Sequence, residues 1–186
     1  MSIAYKKKDL PVEEIRRFLE PSPTVLVSSI WQNKTNIMTM NWHTVMEFSP
    51  SLIGCMITSS NHSYEMIKKS KECVINIPTI DLIDEIIGIG NCSGSKVNKF
   101  EKFKLTPVAG EKIKAPLIRE CYANFECKVS DTGLLRKYNF FIFEVVKAYA
   151  AIKPKYPTTV HYRGQATFMV SGKNISFPER FKKTNL

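Results

Sequence analysis

The feature that most constrains the fold of this chain is a series of short extended segments that do not alternate with long helices. Apolar and polar side chains alternate over residues 123–130 with the period of two that is typical of a half-buried strand. Residues 140–150 form the longest candidate strand. Because only brief helical patterns separate these segments, the sequence predicts a mainly β fold. We expect an antiparallel barrel with inserted helices rather than a doubly wound parallel sheet.

The pattern along the chain predicts six to eight strands and a few short helices. Strands are predicted at 24–30, from 37 onward after a polar turn at 33–36, and at 52–58, 73–77, 123–130, 140–150 and 161–170. Helices are predicted at 11–19, 61–69, 81–89 and 96–103. We therefore expect a single domain over 1–186, with a core at about 21–172, a helical arm over 1–20 and a tail over 173–186.

Length and composition exclude several classes of protein. The chain has 186 residues, of which 44% are hydrophobic and 24% charged, so it is neither disordered nor fibrous. A chain of this length buries roughly 70% of its unfolded surface and needs no disulfide or metal to fold. Its apolar runs are too short to span a bilayer, and no apolar segment follows the N-terminal lysines as in a signal peptide. We therefore expect a cytoplasmic protein without a membrane partner.

The cysteines and the net charge indicate the compartment of the protein and the class of its ligand. The five cysteines are an odd number without CxxC spacing, which predicts free thiols in a reducing compartment and no metal site. The net charge of +10 comes from scattered lysines and attracts anions. A basic nucleic-acid-binding barrel is the weaker use of this charge, because no RNP-like motif or zinc finger accompanies it. A phosphorylated small molecule suits it as well.

A first candidate site lies on the extended segment 39–44. Alternation places Asn41 and His43 on one side of the strand and Met40, Trp42 and Thr44 on the other. One set can line a pocket while the other is buried. The alternative is a strand with one satisfied polar face, and His43 without a neighbouring carboxylate is a weak catalytic signal.

A second candidate site lies at the strand-to-helix junction 58–63. A helix N-terminus offers unpaired N–H groups and a favourable dipole to an anion, and hydroxyls and an imidazole crowd this one. The segment predicts a phosphate site, with an ordinary helix cap as the alternative.

The third candidate site is the glycine-rich segment 88–94. It is not a GxGxxG fingerprint, because Ser93 occupies the place of the third glycine. Its glycines let the backbone approach a ligand closely, and Lys96 and Lys99 follow with positive charge. A flexible loop before a helix is the alternative. No catalytic triad or carboxylate pair is visible, so an enzyme of this sequence would depend on a cofactor.

Together, in this order, these stretches resemble the flavin reductase-like family of FMN-binding split barrels, its flavoredoxin branch especially. The resemblance covers about 21–172, and it rests on the stretches 36–44, 61–67, 74–78, 93–100, 115–118, 125–129 and 161–164. The chain departs from the family at Ser51, where members often have a second proline. It also has Asn61 and His62 where many members carry an arginine, so the positive charge there would come from His62 or from a lysine elsewhere.

The resemblance implies a homodimeric split barrel with FMN at the subunit interface. The segment 41–44 would run beside the isoalloxazine ring, 60–63 would take the phosphate, and Ser93, Gly94 and Lys99 would close over the flavin. The cofactor-binding residues it implies are Thr39, Asn41, Trp42, His43, Thr44, Thr58, Ser60, Asn61, His62, Ser63, Asn76, Ser93, Gly94 and Lys99.

The resemblance implies a flavoprotein oxidoreductase in which NADH or NADPH reduces FMN, and electrons pass to free flavin, a ferric chelate or a protein acceptor. The alternative is a non-enzymatic FMN protein, an electron carrier or flavin store. No catalytic residue is assigned. Because a phosphate distinguishes FMN from riboflavin, we expect Ser63→Asp to weaken FMN binding and to spare riboflavin.

Overall fold

The structure is a computed structural model that describes residues 5–15 and 22–182. Twelve strands lie in this part of the chain: β1 (Lys7–Leu10), β2 (Val25–Trp31), β3 (Lys34–Met40), β4 (His43–Glu47), β5 (Leu52–Met56), β6 (Glu72–Ile77), β7 (Pro107–Val108), β8 (Leu117–Ile118), β9 (Ala123–Asp131), β10 (Phe140–Ala151), β11 (Val160–Gly164) and β12 (Thr167–Val170). The α-helices described are α1 (His62–Ser70), α2 (Ile83–Gly90), α3 (Lys99–Lys102) and α4 (Leu135–Tyr138), and short 3₁₀ turns lie at Val12–Ile15, Ile80–Leu82 and Pro178–Arg180.

An antiparallel sheet dominates the fold. Its strand order is β3-β2-β6-β9-β10-β5-β4, and β1 pairs with β10 as well. The terminal strands β3 and β4 are joined by Asn41 and Trp42 alone, a span of at most about 11 Å. The sheet must therefore curl until its ends meet, yet the order does not pair β3 with β4. This open barrel confirms the predicted split β-barrel.

The central strands β2 and β6 are buried on both faces, which explains their nearly continuous apolar runs. Val25, Val27 and Phe125 point into the barrel interior, whereas Leu26 packs outside it against Ile86 and other residues of an outer core. Helix α2 covers this outer face next to β3. Because α2 packs on this outer face, the loop that follows α2 lies over the barrel strands.

Most predicted elements are confirmed, with shifts at their ends. The hairpin turn after β2 lies at Gln32 and Asn33, which both have positive φ, so β3 begins earlier than predicted. The predicted helix 81–89 starts as the 3₁₀ turn at 80–82 and continues as α2. The predicted strand 161–170 is a separate hairpin, because Gln165 and Ala166 also adopt positive φ and turn the chain back.

Predicted helices at 96–103 and 11–19 are corrected. The first was wrong over 96–98, because Asn98 has an extended backbone and its side chain accepts a hydrogen bond from Phe100 N, which caps the helix there. In the second, Val12–Ile15 is a 3₁₀ turn, and residues 16–19 lie outside the described residues. Within the described part of the chain, no helix is both long and apolar enough to cross a membrane.

Candidate functional site: adjoining polar and aromatic clefts

A cleft of about 400 Å³, here called the polar cleft, opens between β3, the N-terminus of α1 and the loop that follows α2. It brings together the second and third candidate segments of the sequence. Its lining is mostly hydroxyl, amide and glycine groups: Asn36, Met38, Ser60, Asn61, His62, Ser63, Gly90, Asn91, Cys92, Ser93, Gly94 and Lys99.

The N-terminus of α1 forms one wall of the polar cleft. Its preceding turn is closed by Asn61 N, which donates to Thr58 O at 3.0 Å. The Thr58 and Ser60 hydroxyls lie 2.7 Å apart, and Asn61 Nδ2 donates to Thr58 Oγ1 at 3.2 Å. These side chains bind one another, and the Asn61 side chain makes no capping bond to the helix described here. The first-turn N–H groups and the helix dipole therefore favour an anion at this wall.

Asn36 on β3 forms the floor of the polar cleft. Its Nδ2 donates to Ser63 Oγ at 2.8 Å, and its Oδ1 has no hydrogen-bond partner among the described residues. Asn36 is only 2% exposed, so this orphaned acceptor is costly unless a donor reaches it. A Cβ atom at position 94 would overlap the Asn36 carboxamide, so only glycine allows the loop to pass this close.

Lys99 supplies the positive charge of the polar cleft. Its side chain is 4% exposed, and Nζ donates to Ile89 O at 2.9 Å. Burial lowers the pKa of Lys99, and the neighbouring Cys92 works in the opposite direction. A buried ammonium group that donates to a neutral carbonyl is suited to an anionic ligand.

A second cleft of about 340 Å³, here called the aromatic cleft, adjoins the polar cleft and shares Gly90 and Asn91 with it. One side comes from β3 and α2, where Thr39 Oγ1 donates to Ile86 O at 2.7 Å. The other side comes from the β11–β12 hairpin. Its lining is Thr39, Asn41, Ile86, Ile87, Gly90, Asn91, Tyr162, Ala166 and Phe168. The Tyr162 and Phe168 rings pack with centroids 5.0 Å apart.

The first candidate segment is divided by the bend between β3 and β4. Thr39 and Asn41 line the aromatic cleft, and Asn41 Oδ1 accepts from Thr24 Oγ1 at 2.6 Å. Trp42 is 66% exposed and Thr44 is exposed as well. Thr39 and Asn41 therefore belong to a cleft lining, whereas Trp42 and Thr44 lie outside both linings.

His43 and Asn76 are buried away from both linings. His43 Nε2 lies 2.8 Å from Pro23 O, its Nδ1 has no partner among the described residues, and burial lowers its pKa. The Asn76 carboxamide is fully engaged, because Nδ2 donates to Leu26 O and Oδ1 accepts from Ile118 N and Asn124 Nδ2. Asn76 ties the barrel strands to the segment around β8.

Several cleft residues escaped the sequence analysis. Asn36 was inside a resembling stretch but had no assigned role, because a polar residue on a strand shows nothing about its partners. Cys92 lies within the third candidate segment, but the sequence predicts only a free thiol there and no role in the site. Tyr162, Ala166 and Phe168 come from a hairpin far along the chain, and no local signal links them to α2.

Comparisons with known proteins agree with this architecture. Residues 16–168 match the family model described as a flavin reductase like domain. An uncharacterized protein of Archaeoglobus fulgidus is 37% identical over 135 residues, which cover 73% of this chain and 76% of that protein.

Solved structures show the same fold. An FMN-binding domain of a flavin reductases-like enzyme from Shewanella baltica has a TM-score of 0.87 at 22% identity, covering 94% of this chain and 99% of that one. Flavoredoxin of Desulfovibrio vulgaris has a TM-score of 0.77 at 21% identity, covering 84% of this chain and 90% of that one. The family model spans most of the chain, and so this protein belongs to the flavin reductase-like family.

Proposed function

We propose that this protein is an FMN-dependent oxidoreductase. The observation that carries the proposal is the junction of a polar cleft and an aromatic cleft at Gly90 and Asn91. FMN has the same division, with a phosphate and a polyhydroxyl chain at one end and an aromatic ring system at the other. Solved relatives of this fold include a protein described as an FMN-binding domain and a flavoredoxin, which supports the assignment.

The phosphate end of FMN fits the wall formed by α1. Hydroxyls of Ser60 and Ser63 and the helix N-terminus are the donors that a phosphate takes. Lys99 reaches this cleft from a different element and supplies the cation that many family members obtain from an arginine near α1. Of the two sources that the sequence left open, His62 and a lysine elsewhere, the buried Lys99 in this lining supports the lysine as the proposed source of positive charge.

The hydroxylated chain of FMN fits the floor of the polar cleft. The buried Asn36 Oδ1 needs a hydrogen-bond donor, and a ribityl hydroxyl is one. Gly94 lets the loop close against Asn36 at this floor, because a Cβ atom at position 94 would overlap the Asn36 carboxamide. This fit comes from an unsatisfied atom of the protein rather than from the family resemblance.

The ring of FMN fits the aromatic cleft. Ile86, Ile87 and Phe168 offer apolar contact that excludes water, and Asn41 and Thr39 add polar atoms at the edge. When bound, FMN supplies hydride acceptance from NADH or NADPH and electron transfer to a free flavin, a ferric chelate or a protein. The residues of this chain hold and orient it, and no side chain is assigned an acid–base role.

An anaerobic titration tests the proposal. The purified protein should be yellow or should become so with added FMN, at about one FMN per chain. Adding NADH or NADPH without oxygen should bleach the flavin absorbance, and a chemical reductant serves as the positive control. Bleaching by the chemical reductant alone would favour the alternative, a non-enzymatic electron carrier or flavin store. A chain that takes up no FMN would overturn both.

We also propose a homodimer. Strand β4 is an edge of the sheet, and Trp42, Met46 and Phe48 on and beside it are 66%, 43% and 52% exposed. An unpaired edge with large apolar side chains is the kind of surface that a second chain covers. Light scattering should give twice the chain mass, and Trp42→Lys should shift it toward the monomer. A monomer that holds FMN tightly would contradict this proposal.

A further inference from the structure

Cys92 differs from the other cysteines of the chain in its surroundings. All five cysteines lie in the described residues and are free thiols, and Cys55, Cys73, Cys121 and Cys127 are buried. Cys92 is partly exposed and lines the polar cleft beside Lys99. A reagent that enters the cleft meets this thiol first, whereas the other thiols become accessible only if the barrel opens.

The geometry places a cation beside the Cys92 thiol. Cys92 Sγ lies 3.9 Å from Ile89 O, and Lys99 Nζ donates to the same oxygen at 2.9 Å. Both side chains therefore converge on the last turn of α2. A cysteine attacks a disulfide through its thiolate form, which is the nucleophile.

A separate observation points to a ligand in this cleft. Asn36 is 2% exposed, lines the same cleft, and its Oδ1 has no partner among the described residues. An orphaned acceptor of this kind indicates a ligand that donates a hydrogen bond. The thiol at Cys92 thus shares a cavity with a ligand position rather than lying on open surface.

We propose that Cys92 is a site of reversible modification by small disulfides, and that the modification excludes the ligand of the polar cleft. The exclusion rests on the proposed function, in which that ligand is FMN. The Cys92 thiolate attacks one sulfur of a low-molecular-weight disulfide, a bond forms between the two sulfurs, and the other half leaves as a thiolate that takes a proton from water. The protein is oxidised, the small disulfide is reduced, and a small thiol reverses the exchange.

The exclusion follows because Cys92 and the proposed phosphate position share one cavity. The polar cleft holds about 400 Å³, and Cys92 and Lys99 stand in the same lining. A group attached to Sγ occupies the space in front of Lys99, where the phosphate end of FMN is proposed. One occupant therefore displaces the other.

The test treats the full chain, stripped of flavin by dialysis, with dithiodipyridine and with neutral hydroxyethyl disulfide. We expect one thiol per native chain to react with dithiodipyridine and peptide mass analysis to place it at Cys92. Saturating FMN should slow this reaction at least tenfold. Prior treatment with hydroxyethyl disulfide should weaken FMN binding at least tenfold, and dithiothreitol should restore it.

Matched variants separate this site from general thiol chemistry. Cys92→Ser should not react, and its FMN affinity should be the same before and after disulfide treatment. Adding Ser59→Cys to that variant places a thiol on the exposed neighbour of the cleft, outside its lining. That thiol should react without protection by FMN.

The outcomes decide between the two proposals. An untreated chain that takes up no FMN overturns the proposed function and the competition with it, while the peptide masses still report whether Cys92 reacts. An untreated chain that binds FMN but gains no protection at Cys92, or binds FMN normally when modified, overturns this inference alone. Reaction at a different cysteine also overturns it.

Discussion

The polar cleft and the aromatic cleft share Gly90 and Asn91 but are built in different ways. Most of the polar lining comes from 60–63 and 90–94, two short segments whose chemistry is visible as runs of hydroxyl, amide and glycine residues. The aromatic lining combines α2 with Tyr162 and Phe168, about seventy positions further along the chain. The polar cleft is therefore built mostly from a helix start and a loop that are both visible in the sequence. The aromatic cleft depends on distant elements that the fold packs together.

The largest expected effect comes from adding negative charge to the polar cleft. Ser60 is exposed and lines the cleft, whereas Ser63 is buried and bonded to Asn36, so Ser60→Asp is a cleaner change than the Ser63→Asp expected from the sequence. Like charges in contact cost several kcal/mol, so FMN affinity should fall by about 100-fold. Riboflavin, which lacks the phosphate, should keep its affinity, as measured by fluorescence titration.

Ser59→Asp is the matched control for this change. Ser59 is the exposed neighbour of Ser60 and does not line the cleft. It should leave FMN binding nearly unchanged. If Ser60→Asp weakened FMN and riboflavin equally, the phosphate would not bind at this wall. The proposed difference between the two clefts would then be wrong.

Removing the cation of the polar cleft should have the next largest effect. A hydrogen bond to a charged group contributes about 1.5–3 kcal/mol, so Lys99→Met should weaken FMN about tenfold or more and riboflavin much less. Burial lowers the pKa of Lys99 from its ordinary 10.5. Since a protonated amine attracts phosphate, native FMN affinity should decline as the pH rises through that lowered pKa. Calorimetry over this pH range should show that the FMN affinity of Lys99→Met does not decline.

Lys96→Met provides the comparison for Lys99. Lys96 is exposed in the loop that leads into α3 and lies outside the cleft lining. We expect it to keep both the FMN affinity and its pH dependence. If the two variants behave alike, general surface charge rather than the cleft attracts the phosphate.

A smaller, non-selective effect is expected from the aromatic cleft. Phe168→Ala removes an aromatic contact worth about 0.5–1.5 kcal/mol, so FMN and riboflavin should both weaken by about twofold to tenfold. Met169→Ala, on the same strand but outside the lining, is the control. A loss confined to FMN would show that Phe168 acts on the phosphate end instead, provided that the melting temperature of the variant is unchanged.

The smallest expected effect concerns stability rather than binding. Burial lowers the pKa of His43 below its ordinary 6.5, so the unfolded chain takes up a proton that the folded chain resists. The free energy of unfolding should therefore decline as the pH falls below about 6.5 and be fully present above it. His43→Gln should flatten this decline in denaturant titrations, with little change in flavin affinity. His62 is exposed, so His62→Gln should keep the pH-dependent decline in stability. If both variants flatten the decline, His43 is not its specific source.

What the sequence determined by itself is the set of local structures and the residue types of the proposed phosphate site. Period-two alternation in 123–130, the buried run of 140–150 and the helix start near Asn61 depend on neighbours within a few residues, so they are visible in the chain. The same holds for the glycines at 90 and 94, which let a backbone come close to a ligand. The barrel itself was predicted from strands that follow one another without long helices.

Tertiary structure decided which of these residues meet. Asn41 and His43 were expected to share a role, but the bend between β3 and β4 turns one toward the aromatic cleft and buries the other against Pro23. Asn76 carries the same side chain as Asn36, yet its partners across the sheet saturate it while the Asn36 acceptor is left open. Hydrogen-bond partners fifty residues apart leave no periodic trace. Only packing could assign the open acceptor, the buried Lys99 and the Phe168 hairpin to one continuous site.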